Sequence, residues 1–508
     1  MKKDEEFKMK KWQRVITGGL ALLAVVALAG CSGNKATEKP KASKTDAKAA
    51  ASAKTSYTPT SDMKSDYDIV IIGAGGAGMT AAIEAKDAGL NPVILEKMPV
   101  AGGNTSKASA GMNASETAVE KAQGVADDNQ KFFDETLKGG GGTNDQALLR
   151  YFVDHSSSAI DWLAKNEIVL DNLTTTGGMS VSRTHRPSDG SAVGQYLVKG
   201  LEKKIRSRDI PLFVNSDVTK IMEKDGKISG VKVKVDETET KTITAKAVIV
   251  TTGGFGANKE MIKKYRPDLK DYVSTNAAGS TGDGIKMIGK LGGDTVDLDK
   301  IQIHPTVFKK TGYLVTEAVR GEGAILVNKA GKRFTNEMNT RDKVSAAELK
   351  QAGKSAYIVF GDKTKIAVKA IDQYMSKGMV VSAKSLAELA EKTGIDKSEL
   401  KKTLKTWQTA VATKTDPEFG RTTGMTNDID GTYYAIAVSP GIHHTMGGVK
   451  INTETQVLKK DGTVIKGLYA AGEVTGGLHG SNRIGGNAVA DIIIFGRQAG
   501  TQAAAYVK

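Results

Sequence analysis

Residues 67–78 constrain this chain more than any other stretch. Tyr67-Asp68-Ile69-Val70-Ile71-Ile72 is an apolar run of the kind that forms a buried parallel strand. Gly73-Ala74-Gly75-Gly76-Ala77-Gly78 follows it, and residues 79–88 have helical character. A second apolar strand, residues 92–95, ends at Glu96. Strand, glycine turn, helix, strand and acid in that order predict an α/β fold with a Rossmann-like domain. In such a unit the glycines admit a pyrophosphate to the helix N-terminus, and Glu96 can bind the ribose hydroxyls.

The glycine loops do not end there. Ala101-Gly102-Gly103-Asn104-Thr105-Ser106 and Ser109-Ala110-Gly111-Met112-Asn113 come directly after Glu96. A later strand, residues 247–250, runs into Thr251-Thr252-Gly253-Gly254-Phe255-Gly256. A dehydrogenase that binds only NAD has no need of these extra loops, so FAD is the better expectation. The chain as a whole is glycine-rich, with 57 in 508 residues, which suits many close turns.

The N-terminus reads as an address. Residues 1–14 are basic, residues 15–28 are apolar but short for a spanning helix, and the run closes Leu28-Ala29-Gly30-Cys31. Small residues before a lone cysteine resemble a bacterial lipobox, so residues 1–31 are expected to be a lipoprotein signal with lipidation at Cys31. Cys31 is the sole cysteine, which rules out an internal disulfide and a Cys-x-x-Cys-His haem site within the sequence. Residues 32–66 hold seven Lys against four acids and few large apolar groups. They are expected to be a disordered tether, spanning on the order of 30 Å.

The rest divides by character. The FAD-binding domain is expected over 67–298, a capping domain over 299–444, and the second part of the FAD-binding domain over 445–508, closing with a helix over 488–506. Helices are also expected over 147–165, 386–392 and 400–411, the last with Leu400, Leu404, Trp407 and Val411 on one face. His155 and His185 have no partner in sequence and read as structural or surface residues.

The chemistry concentrates in the cap and after it. His304 lies in Gln302-Ile303-His304-Pro305-Thr306; Thr316, Glu317 and Arg320 lie in Val315–Gly323; Arg341 follows Thr340. His443 begins His443-His444-Thr445-Met446-Gly447-Gly448, and Arg483 lies in His479-Gly480-Ser481-Asn482-Arg483-Ile484-Gly485-Gly486-Asn487. Singly these are ordinary: Glu317 and Arg320 fit a surface helix pair worth a few tenths of a kcal/mol. Together they offer several cations and hydrogen-bonding groups with one carboxylate, which suits a small substrate with two carboxylates.

These motifs, with GAGGAG, TEAVRG, NTRDK and GEVTGG, resemble the soluble fumarate reductase flavoproteins, most of all the flavin and clamp domains of bacterial flavocytochrome c fumarate reductases. The likeness covers essentially all of 66–508, with a lipobox and tether where that family has a haem domain. It implies that His304 and Thr316 hold one substrate carboxylate, and that His443 and Arg483, with the Gly486 main chain, hold the other. It implies hydride from flavin N5, a proton from Arg341, and resupply of that proton through Glu317 and Arg320, Glu317 also touching substrate. Cofactor contacts carry over to Gly73, Gly75, Gly76, Gly78, Glu96, Asn104, Thr105, Gly111, Met112, Val218, Asp283, Glu473, Ala488 and Val489. No histidine stands in 104–113, so the FAD is expected to be non-covalent. A sodium ion is implied around Thr445, Gly447, Glu473 and Thr475.

The net charge of +15 favours an anionic membrane surface or acidic substrate over nucleic acid, for which no motif is present. Two other readings stay open: reduction of another enoate (urocanate, acrylate or methacrylate), and a flavin- or solute-binding lipoprotein without turnover. The proton relay speaks against the last. Fumarate and succinate are the expected ligands. Electrons are expected from a separate donor, a quinol-linked membrane protein or an extracytoplasmic flavoprotein or cytochrome, to a lipid-anchored protein outside the cytoplasm.

Overall fold

The strand Ile69–Ile72 lies inside the larger sheet, with Pro92–Leu95 on one side and Ala247–Val250 on the other, both parallel to it. Val464–Ala470 extends the parallel run beyond Ala247–Val250, and Leu212–Phe213 extends it beyond Pro92–Leu95. All four residues of each of the three inner strands are buried, which is why they are apolar throughout rather than alternating. Lys227–Val235, Ser216–Lys224 and Glu239–Thr244 form an antiparallel flank. The computed structural model describes residues 57–508. The expected signal over 1–31, Cys31 with it, and the tether as far as residue 56 lie outside the described residues.

The helix Gly76–Asp87 packs on this sheet together with the closing helix Asn487–Val507. Gly78 has to be glycine: a Cβ there would run into the Gly73 carbonyl and lie 2.6 Å from Thr251 Oγ1. Chain reversal at the strand end also uses Gly73, whose φ is +104°.

A second, antiparallel sheet is drawn from residues 301–445. Its strands run Tyr313–Leu314, Ile301–Phe308, Tyr433–Thr445, Ala356–Phe360 and Ile325–Val327, with Val380–Ala383 also on Tyr433–Thr445. Two apolar clusters cover its faces, one around Val344, Ile358 and Ile436, the other around Trp407, Leu404 and Val359. The architecture is a Rossmann-like α/β domain with an inserted α+β cap, as expected. The long strand Tyr433–Thr445 returns the chain to the first domain, where Ile301 and Ile442 join the large core.

Two expectations need correction. Residues 57–66 belong to the folded body and not to a tether. Thr58 bonds through its N–H to the Leu212 carbonyl and through Oγ1 to the Leu212 N–H, both at 3.1 Å. Tyr57 OH donates to Glu202 and accepts from the Ala101 N–H at 3.0 Å. The segment is ordered by backbone and hydroxyl bonds along a sheet edge, which a count of apolar residues does not register. Residues 147–165 form two helices, Gln146–Asp154 and Ser156–Lys165, interrupted at His155. The His155 ring stacks on Tyr151 and its Nδ1 lies 2.8 Å from the Tyr151 carbonyl, competing with the helical ladder.

Candidate active site

The strands carrying the two histidine motifs are hydrogen-bonded neighbours. Gln302 pairs with His444, Ile303 with Ile442 and His304 with Gly441. His443 is therefore the extra residue of a β-bulge, which turns its side chain out of the regular alternation. Its ring meets that of His304 edge-on at 5.1 Å, and its Nδ1 lies 2.8 Å from Thr275 Oγ1. A second irregularity falls between His304 and Val307, where Pro305 has no N–H to offer the ladder.

Arg341, at the start of the helix Arg341–Leu349, reaches this strand pair. Its Nε and Nη2 donate to Glu317 Oε1 and Oε2 at 2.8 and 3.1 Å, and Nη1 donates to Gln302 Oε1 at 3.0 Å. The same Gln302 oxygen accepts from Arg483 Nη2 at 3.3 Å. Arg320 Nη2 is 3.5 Å from Glu317 Oε1 and its Nη1 donates to the Glu337 carbonyl. His304 Nε2 lies 3.6 Å from Glu317 Oε1, while the Thr306 N–H donates to Nδ1, leaving the proton on Nε2. Thus Arg341, Glu317, Arg320, His304, His443 and Arg483 form one cluster. Thr316 is buried beside it, its N–H bonded at 3.0 Å to the hydroxyl of Tyr374.

The electrostatics follow from burial. Arg483 is 5% exposed; it bonds to Gln302 and the Ile484 carbonyl, with no carboxylate among these partners, and Nε is left unpaired. Burial, then the Arg341 charge, lowers its pKa to about 9. Glu317, Glu473 and Asp491 act on it only through space, and a buried cation bonded to no carboxylate is costly unless an anion completes it. Burial favours the neutral form of Glu317, but Arg341 and His304 override it and hold the carboxyl well below its usual range. His304 is depressed to about 3 by burial and then by Arg341, and His443 is depressed by the same causes.

A cavity of about 650 Å³ runs from Gly73, Gly75, Gly76 and Glu96 past Asn104, Thr105, Gly111, Val218 and Asp283 to Glu473, Ala488 and Val489, and ends at Arg341, His443, Arg483 and Gly486. It opens at the adjacent ends of Ile69–Ile72 and Ala247–Val250, the crevice where doubly wound sheets bind dinucleotides. Gly75 brings no capping side chain to the helix Gly76–Asp87, and the Gly76 N–H donates to Thr105 Oγ1 at 3.0 Å, so the other amides of the first turn are what the helix offers an anion. Beyond Gly75 only Thr105 Oγ1 stands near the place of a Cβ, at 3.8 Å. Glu96 takes the Ala74 and Met98 N–H groups at 2.9 and 2.8 Å and keeps further lone pairs toward the cavity. These residues fit FAD.

Some expected contacts are indirect. Gly78 packs against the turn, and Met112 is fully buried in a strand paired with His185, so neither lines the cavity. His304, Thr316, Glu317 and Arg320 stand behind the wall formed by Arg341 and His443. Thr445 donates to Glu473 Oε1 from N and Oγ1 at 3.1 and 3.3 Å, whereas Thr475 Oγ1 turns to the Gly472 carbonyl and Gly447 packs against Asp297. Among the described residues no group of three His, Cys, Asp or Glu could hold a metal.

Sequence reasoning missed Gln302, Asn113 and Tyr374. Asn113 Nδ2 donates to the Gly485 carbonyl at 2.8 Å and to Asn487 Oδ1 at 2.7 Å, fixing the glycine turn beside Glu317. Gln302 was accessible: it lies two residues from His304 on one strand, and period-two alternation puts both on one face.

Comparison with known proteins shows which family the chain resembles. A family model described as FAD binding domain matches residues 68–489. The chain is 53% identical over 439 residues to the NADH:fumarate oxidoreductase of Klebsiella pneumoniae, covering 86% of this chain and 48% of that protein. It is 45% identical over 442 residues to the fumarate reductase (cytochrome) of Shewanella frigidimarina, covering 87% and 77%. The open conformation of a flavocytochrome c3 fumarate reductase superposes with a TM-score of 0.75 at 41% identity, covering 88% and 79%. The chain therefore spans about half of the Klebsiella relative and about three quarters of the Shewanella one.

Proposed function

This chain belongs to the fumarate reductase flavoproteins of the FAD-binding family, and from that membership we propose that it reduces fumarate to succinate. The observation that carries the reading is the unpaired, buried Arg483 beside an Arg341–Glu317 pair at the end of a dinucleotide-sized cavity. Arg341 and Arg320 share the Glu317 carboxylate while Arg483 bonds none, so the site has positive charge to spare for a carboxylate-bearing substrate.

FAD, when bound, supplies the hydride that reduces one carbon of the double bond. The protein's own groups do the rest. Arg483 and His443 hold one carboxylate, and His304 and Thr316 serve the other end once substrate draws the wall residues apart. Arg341 gives a proton to the second carbon. A guanidinium is a very weak acid, so its role depends on position and on immediate replacement of the proton. Glu317 bonds Arg341 through two oxygens and Arg320 stands behind it, which supports resupply in that order. The FAD is held without a covalent bond.

The decisive experiment is anaerobic: protein reduced with dithionite or viologen is mixed with fumarate, urocanate, acrylate or methacrylate, and the flavin spectrum is followed. Rapid reoxidation by fumarate is expected, with free FAD released on denaturation. Preference for a monocarboxylate overturns the substrate assignment. We further propose that a separate protein supplies the electrons and that Cys31 carries a lipid anchoring the protein outside the cytoplasm. Among the described residues no helix is long and apolar enough to cross a membrane, and Cys31→Ser is expected to abolish acyl labelling; unchanged labelling overturns the anchor.

A further inference from the structure

Tyr374 brings a hydroxyl from the cap to the same end of the cavity as the two arginines. It lies on the helix Ala370–Ser376 and is 2% exposed, and it lines the cavity with Leu314, Gln373, Arg341, His443 and Arg483. Its place is fixed by the segment that carries Glu317. Val315 is held to the strand of His304, its N–H donating to the Thr306 carbonyl at 2.9 Å and its carbonyl accepting from Thr306 Oγ1 at 2.8 Å. The next N–H, that of Thr316, donates to the Tyr374 hydroxyl at 3.0 Å. One residue further on, Glu317 bonds Arg341 through both oxygens. The phenol oxygen is therefore anchored one residue from the carboxylate that grips Arg341.

A phenol can accept and donate at once. Here the accepting side is used and the donating side is not: among the described residues no group takes the Tyr374 O–H. Burial is the largest influence on this hydroxyl and raises its pKa above the ordinary value, with the Thr316 N–H opposing, so the proton stays in place. A buried O–H without an acceptor carries a cost. The ring packs in the apolar cluster of Val344, Ile358 and Ile436 and meets Tyr313 edge-on at 6.0 Å, contacts that Phe makes as well. The Thr316 N–H accounts for the phenol oxygen; its proton is left over, at the cavity wall.

We propose that Tyr374 is a specificity-determining residue whose O–H binds the second carboxylate of the substrate, the one that Arg483 and His443 do not hold. The proposal rests on the fumarate-reducing reading above and adds a donor to it. Position favours that end, because Thr316, which serves it, is the residue Tyr374 already bonds. The phenol oxygen keeps the Thr316 N–H while its own hydrogen turns to a carboxylate oxygen. A monocarboxylate held by Arg483 and His443 leaves this O–H unmet, whereas a dicarboxylate satisfies it, and a site built to make a hydrogen bond discriminates against a ligand that lacks the partner.

Tyr374→Phe keeps the ring and removes the O–H. Dissociation constants for fumarate and acrylate are read from the flavin shift of the oxidised holoenzyme, where no turnover intervenes. For fumarate a loss on the order of 10- to 100-fold is expected, the size of one hydrogen bond to a charged group. Acrylate binding and FAD content are expected to hold. A second protein carries a ring-fluorinated tyrosine at this position, which keeps the shape while making the hydroxyl a stronger donor and a weaker acceptor. It is expected to bind fumarate more tightly. Unchanged or weaker binding there leaves the hydroxyl only its bond to Thr316 and overturns the proposal. So does wild-type fumarate affinity in Tyr374→Phe, or an equal loss for fumarate and acrylate. A wild type that acrylate reoxidises in preference to fumarate overturns the dicarboxylate reading and the proposal together. A wild type that prefers fumarate, beside a Tyr374→Phe variant that binds it as tightly, overturns the role of the tyrosine alone.

Discussion

Arg341 grips Glu317 through two parallel bonds, Nε to Oε1 at 2.8 Å and Nη2 to Oε2 at 3.1 Å. The planar fork matches the carboxylate and fixes the remaining nitrogen, Nη1, against Gln302. One side chain is thus tied to the carboxylate proposed as its proton supplier and oriented at the cavity wall. Lysine retains the charge but has neither the fork nor three nitrogens. Arg341→Lys is expected to lose about 10²–10⁴-fold in turnover, as for removal of a positioned acid. FAD content and the fumarate-induced flavin shift should persist, because Arg483 and His443 remain. Near-normal viologen-linked turnover overturns the assignment of Arg341 as proton donor.

Gln302 joins the two arginines of the site through one oxygen. Its Nε2 donates at 2.7 Å to both Asn482 Oδ1 and the Arg483 carbonyl, so the amide orientation is fixed. Gln302→Glu places a second carboxylate between Arg341 and Arg483 and consumes the charge meant for substrate. The expected effect is a rise in KM on the order of 10-fold or more, with a smaller change in kcat. Steady-state kinetics separate the two; an unchanged KM counts against a role for Gln302 in leaving charge for the substrate.

Histidine protonation is not expected to shape the pH profile. His304 is depressed to about 3, with burial the largest cause and Arg341 the next, and His443 and His444 also lie well below the usual range. A lowered histidine pKa keeps the ring neutral as pH falls. Turnover should therefore show no acid limb near the ordinary histidine value of about 6.5. A viologen-linked rate profile checks this, and a limb there would falsify the burial of neutral imidazoles at this site.

Trimming the chain at residue 67 rather than 57 is expected to weaken it. The shorter form loses both Thr58–Leu212 bonds and the Tyr57 contacts to Glu202 and Ala101. At about 1 kcal/mol per bond, a drop in Tm on the order of 5 °C is expected. Equal melting curves for the two forms sink the correction made to the tether.

That boundary shows which signals a sequence carries. The glycine turn at 73–78 and its flanking strands were legible because steric exclusion and burial each demand particular residue types. Residues 57–66 were not, because the bonds that hold them come from main-chain groups and two hydroxyls, which a solvated segment carries as readily. His304 and His443 stood out in the sequence as candidates through their motif settings. The bulge that aims His443 depends on how two strands distant in sequence, pairing Gln302 with His444 and Ile303 with Ile442, slip past each other, and neither strand records that alone. Gln302 fell between these cases: its spacing from His304 was visible, but its two arginine partners come from other parts of the chain.

Gly485 gives the sharpest test of the relay geometry. A Cβ on it would lie 2.5 Å from Thr176 Cγ2, 2.7 Å from Glu317 Oε2 and 3.1 Å from Arg341 Nη2. The backbone is already held by Asn113, which binds the Gly485 carbonyl, so the turn cannot readily retreat. Alanine must then push the Glu317 carboxylate and break at least the Nη2–Oε2 bond. Gly75, Asn104 and Ala488 line the cavity, whereas Gly485 does not. Gly485→Ala is therefore expected to retain FAD but lose turnover by about 10²-fold, the cost of a small misplacement at a reacting centre. Solvent isotope effects should rise as proton delivery becomes slower. If the variant instead loses FAD while its residual flavin turns over normally, Gly485 shapes the cofactor site and not the Arg341–Glu317 pair.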